Sequence, residues 1–194
     1  VDSERASTIY KSLFEADPAS IDLQKLYLSN QIDIAYSYAS NNQFGIAVPQ
    51  YQEILRVLES MNEADREVMK MRAQTTAYLS NGLSWDDRQA EAEAENAKAV
   101  VLADTLNARY PKDPEIQKTV YNVFLLGSNS HEGIKNDVSL KYAERARAAA
   151  ETAVAIDPAD VQARLLLAKS YSRVGNALTL NRRTGEAIMK LNEA

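Results

Sequence analysis

His131 is the one histidine of the chain, and Glu132 and Asp137 follow it closely, so any acid–base or metal chemistry would begin there. A metal ion needs three or four converging ligands, and neighbours along a loop seldom supply them. The run Ser128-Asn129-Ser130-His131-Glu132-Gly133 reads instead as a surface loop that carries an ordinary histidine. There is no cysteine, which removes disulfides, thiolate metal sites and cysteine nucleophiles. No nucleophile–base pair, glycine-rich phosphate loop or metal cluster stands out. The sequence therefore reads as a non-enzyme with no cofactor and no metal.

What remains is chemistry of contact. Ten tyrosines against three phenylalanines and one tryptophan are many. Most should fill helix interfaces, while Tyr38 and Tyr121 are the expected exposed ones. Trp85 with Asp86 and Asp87 reads as the opening of a helix, with the carboxylates complementing its N-terminus. Asp86, Asp87, Glu91, Glu93 and Glu95 form an acidic run; Arg164, Arg173, Arg182 and Arg183 make the last part basic. Such runs are ordinarily solvated helix faces.

The elements that position these residues are helices. The 194 residues carry 6 Gly and 5 Pro, too few for the turns of an all-β fold. Ala, Leu, Glu, Lys, Arg and Gln predominate, and these favour helix. Net charge is −5 and the pI about 5.1, so the basic surface needed to bind nucleic acid is absent. No apolar run approaches membrane-span length. The sequence assigns no compartment.

Internal repetition organises the rest. Asp-Pro recurs at 17, 113 and 157, and Asp65 lies midway between the first two, giving repeat starts near 17, 65, 113 and 157. Asp can cap a helix and Pro fits its first position. Gly45 and Gly185 each follow a start by the same interval and read as turns between paired helices. The expected helices cover 19–40, 46–62, 66–81, 86–109, 114–128, 137–156, 159–180 and 185–194. Asn81-Gly82 is the expected stop of the third, and 1–16 closes a preceding repeat.

These residues resemble the tetratricopeptide repeat (TPR), whose pattern is Leu-small-x-x-Tyr, then Gly, then Ala. Repeat 4 carries it best in Leu167-Ala168, Tyr171, Gly175 and Ala187, and repeat 1 shows Ala47, Tyr51 and Leu55. The spacing is longer than the family's, and is similar to arrays attached to bacterial signalling proteins and kinases. The resemblance implies an all-α fold over 1–194, a right-handed superhelix of antiparallel helical hairpins (an α-solenoid), taken as a piece of a larger protein. It also implies a concave groove that binds a peptide or partner domain. Counting from the repeat starts, that groove is expected to include Lys25, Ser29, Ala77, Tyr121, Leu125 and Lys169, with Arg173, on the same helix as Lys169, as a further contact for an acidic peptide. The family's carboxylate clamp is not supported, since only Lys25 and Lys169 suit it. The expected function is a protein-interaction scaffold whose partner is a protein or peptide, without nucleic acid or membrane. The alternative is a structural spacer that self-associates as a homodimer.

Overall fold

The computed structural model describes residues 2–192, and among them the chain is all-helical, with consecutive helices packed in chain order. After α1 (Asp2–Ala16) the helices come in pairs. These are α2 (Ile21–Ser40) with α3 (Phe44–Glu59), α4 (Arg66–Trp85) with α5 (Gln89–Arg109), α6 (Pro114–His131) with α7 (Asn136–Ile156), and α8 (Val161–Leu180) with α9 (Thr184–Asn192). We call the first helix of each pair A and the second B. The last helix was expected to reach 194; residues 193–194 lie outside the described residues.

Every A helix starts alike. Ser20, Asp65, Asp113 and Asp160 are extended, and each side chain accepts a backbone N–H from the first helical turn. That satisfies donors the helix leaves open. The starts at 65 and 113 agree with expectation, whereas those at 17 and 157 are corrected by three residues. Asp17-Pro18 and Asp157-Pro158 lie in the turns ahead of the helices. They match Tyr110-Pro111, not Asp113-Pro114. Proline, with fixed φ and no N–H, suits both the turn and the first helical position, so Asp-Pro alone cannot fix the phase.

The A-to-B turns are just as regular. Asn42, Asp87 and Arg182 have φ of 59°, 57° and 60°. The next N–H returns to the carbonyl of Tyr38, Leu83 or Leu178 at 2.9 Å, closing the helix end. The α6–α7 turn is one residue longer and uses Gly133 at φ 75°. Several expectations are corrected here. Asn81-Gly82 lies inside α4, and Trp85 ends α4 rather than opening α5. Gly45 and Gly185 sit in the first turns of α3 and α9. His131 ends α6 and is buried, with Nδ1 2.8 Å from the Gly127 carbonyl and its ring against Tyr142. The helix persists there because a buried interface rewards those last residues.

Within each pair the helices meet through small residues. Ala35, Ser80, Ser128 and Gly175 occupy one place on the A helices; Ala47, Ala92, Ser139 and Ala187 occupy its counterpart on the B helices, all buried. Ser80 Oγ donates to the Ala92 carbonyl at 2.8 Å, and Ser128 and Ser139 exchange hydroxyl-to-carbonyl bonds at 2.9 Å. The apolar interior is a row of overlapping clusters. Val68, Met71 and Leu79 of α4 pack with α2 and α3, while Met69, Ala73 and Ala77 of the same helix pack with α5 and α6. Leu140, Ala143 and Val174 continue the row toward α9.

Successive A helices touch one another, α2 with α4, α4 with α6 and α6 with α8. Among the described residues the B-helix backbones do not approach each other; the long pairs Lys135–Glu93 and Arg145–Asp104 bridge them. The A helices are laced at their starts. Lys25 reaches Asp65 at 2.5 Å, Arg66 reaches Asp113 at 2.6 Å, and Lys118 reaches Asp160 at 2.6 Å.

Candidate functional site

The exposed side of the A helices carries a cleft. Between α2 and α4 it encloses about 480 Å³, walled by Lys25, Ser29 and Asp33 on one side and Lys70, Met71 and Gln74 on the other. A second hollow of about 250 Å³ follows where α4, α6 and α8 meet, lined by Lys70, Gln74, Lys118, Asn122, Gln162 and Leu166. Lys70 and Gln74 wall both, so the two adjoin.

The helical repeat dictates which residues face it. Five residues after each cap stand Lys25, Lys70, Lys118 and Leu165; nine after it stand Ser29, Gln74, Asn122 and Lys169. Residues four apart share a helix face, so on α2, α4 and α6 these two rows run side by side along the cleft, while on α8 it is Gln162 and Leu166 that line it. The expected groove residues divide according to the phase correction. Counting from 17 and 157 landed on this face, giving Lys25, Ser29 and the exposed Lys169. The same count from 65 and 113 begins at the true cap and lands on the interior.

Ala77 and Tyr121 are accordingly corrected from groove to core, 3% and 1% exposed. Leu125 is half-buried against that core. Arg173 is not a groove cation either. Its guanidinium donates to Ser128 Oγ at 2.8 Å, the Ser128 carbonyl at 2.9 Å and Ser139 Oγ at 3.1 Å, and pairs with Glu132. It ties α8 to the α6–α7 pair. Tyr38 is half-buried, and Tyr36 is the exposed tyrosine of α2. The residues missed were Lys70, Gln74, Lys118 and Asn122. Their signal was a lysine repeated at equal distance from the first three caps, legible only once the caps were aligned.

Most of the lysine charge in the cleft is satisfied within the fold. Lys25 holds Asp65, Lys70 pairs with Glu67 at 2.6 Å, and Lys118 sits between Asp160 and Glu115. The hydrogen bond from Lys25, joined by backbone N–H groups, keeps the Asp65 carboxyl below its usual range; Lys118 does the same for Asp160. Lys118 is in turn pushed up by Asp160 and then Glu115. Asp33 differs: burial raises it. Gln74 donates to the Tyr78 hydroxyl at 3.0 Å, which holds its carboxamide in place. The cleft thus offers the Gln74 carboxamide, the Ser29 hydroxyl and the apolar surface of Leu26, Ile32 and Met71, with Asp22 and Asp33 near opposite ends of its α2 wall.

Among the described residues no three His, Cys, Asp or Glu side chains gather as metal ligands, and no helix is long and apolar enough to cross a membrane. Compared with known proteins, the chain matches no family model and no curated sequence.

Proposed function

We propose that the chain is a TPR-like interaction scaffold whose A-helix cleft binds an extended peptide segment of a partner protein. The observation that carries this reading is the set of side chains at matching distances from the caps, Lys25 with Ser29, Lys70 with Gln74 and Lys118 with Asn122, that line adjoining hollows across α2, α4 and α6, with Gln162 and Leu166 of α8 completing the second. A carboxamide carries a donor and an acceptor, the complement of a peptide bond. Gln74 and Asn122, with Ser29 and Lys169 in the same row, suit a backbone laid across the helices. The unequal spacing supports reading the array as a superhelix. A helices in contact and B helices held apart bend an array so that the A side is concave. The accessible surface of 10182 Å² for 21.5 kDa also exceeds the roughly 9,200 Å² of a compact monomer.

The experiment is selection of a displayed peptide library on the full chain, followed by titration of the selected peptides against the Gln74→Ala/Asn122→Ala double variant. The reading expects affinity to fall at least about tenfold, the equivalent of two lost hydrogen bonds. Unchanged affinity would remove the cleft as the site.

A further inference from the structure

Further along α2 and α4, beyond the residues that line the cleft, lies a pocket of about 280 Å³ rich in aromatic rings. Tyr36 of α2, Phe44 and Tyr51 of α3, and Tyr78 and Trp85 of α4 line it, with Asn81 beside them. Tyr78 is central, its ring 5.0 Å from Tyr36 and 5.7 Å from Tyr51, centroid to centroid. Phe44 and Trp85 lie nearly parallel at 6.4 Å. Tyr36 and Trp85 are 50% and 65% exposed, an unusual position for rings that an adjoining core could have covered.

The electrostatics favour one kind of guest. Ring faces are negative, and several around one hollow attract a cation held off from water. None of the described lining residues is Lys or Arg. Asp33 stands one turn before Tyr36 on α2 and interacts electrostatically with Tyr78. Burial holds its carboxyl up, the behaviour of an acid without a compensating cation. At the pocket's inner wall the Tyr51 hydroxyl is buried and has no hydrogen-bond partner. Burial, with Tyr78 and Tyr36 nearby, pushes that phenol well up, so it remains a neutral donor and acceptor.

We infer that this aromatic pocket takes a cationic side chain, the ammonium of lysine or the guanidinium of arginine, carried by the segment lying in the cleft. The inference rests on the peptide reading for the guest's origin, while the pocket's preference for a cation stands on its own lining. Gln74 connects the two, walling the cleft and bonding Tyr78.

Trp85 is the only tryptophan, so its emission reports the pocket directly. The full chain would be titrated with Nα-acetyl-argininamide, Nα-acetyl-lysinamide and the neutral Nα-acetyl-norleucinamide. Saturable changes with the two cations, at least about tenfold tighter than with norleucinamide, are expected. Tyr36→Leu, half-exposed and keeping apolar bulk, should erase most of that preference. Norleucinamide binding as tightly as the cations, or no saturable change at all, would overturn the inference. Cation binding in the pocket together with library peptides indifferent to Gln74 and Asn122 would leave the pocket standing and remove the cleft reading.

Discussion

Arg66, the first residue of α4, donates from Nε to Asp113 Oδ2 at 2.7 Å, while Asp113 Oδ1 accepts the N–H groups of Glu115 and Ile116 at the start of α6. One carboxylate therefore begins one helix and fastens it to the A helix before it. Lys25 with Asp65 and Lys118 with Asp160 repeat the arrangement. The cap and the repeat interface are the same residue.

This double duty can be separated by substitution. Asp113→Asn keeps a capping oxygen and loses the charge, so urea denaturation should show a loss of about 0.5 kcal/mol. Asp113→Ala loses both and should cost about 1–2 kcal/mol. Equal losses would mean that only the charge matters.

The caps also set a pH dependence. Asp65 and Asp160 are lowered chiefly by their lysine partners; for Asp113 burial opposes, but the Arg66 hydrogen bond and the backbone donors prevail. A carboxylate lowered by folding stabilises fully above its unfolded value of about 4 and loses that contribution as pH falls through the lower folded value. Thermal unfolding between pH 6 and pH 2 should therefore show stability falling below about pH 4. The triple Asp→Asn variant at 65, 113 and 160 should fall less steeply.

Gly127 tests the close approach of α6 to its neighbours. A Cβ there would lie 2.9 Å from Asn96 Oδ1 and 3.2 Å from the Tyr142 ring. Asn96 is buried and bonded to the Tyr142 hydroxyl, so neither side chain yields easily. Gly127→Ala should destabilise by about 1 kcal/mol or more despite alanine's better helix propensity. Gly45, with nothing within 4 Å of its added Cβ, should instead gain about 0.5 kcal/mol on the same change.

Arg173→Leu should cost about 2 kcal/mol, because it strips a charged donor from Ser128 and Ser139 in a buried junction. Chemical denaturation measures the loss. Lys169→Leu, one turn away and exposed, should be near neutral; a large effect there would mean that Lys169 has a structural role of its own.

Helix content, pairing and the approximate repeat were legible because apolar spacing, caps and Asp-Pro pairs are local signals. The phase was not, since proline serves two positions in the same turn. With that three-residue ambiguity unresolved, Ala77 and Tyr121 were expected in the groove although they lie in the core. His131 was hidden for a different reason. Its polar, glycine-flanked run looks like a loop, and only the Tyr142 ring and the Gly127 carbonyl, brought close by folding, account for its burial. The aromatic pocket left no signal in the sequence, because Tyr36, Tyr51, Tyr78 and Trp85 come together only through the packing of three helices.

Amide chemical-shift mapping of a library-selected peptide on the full chain tests the cleft most directly. Shifts concentrated on α2, α4 and α6 around Ser29, Gln74 and Asn122, with α5 and α7 unmoved, are the result that binding along the A helices requires. Shifts centred on Val101 and Leu102 of α5 would place the partner on the opposite side and contradict it.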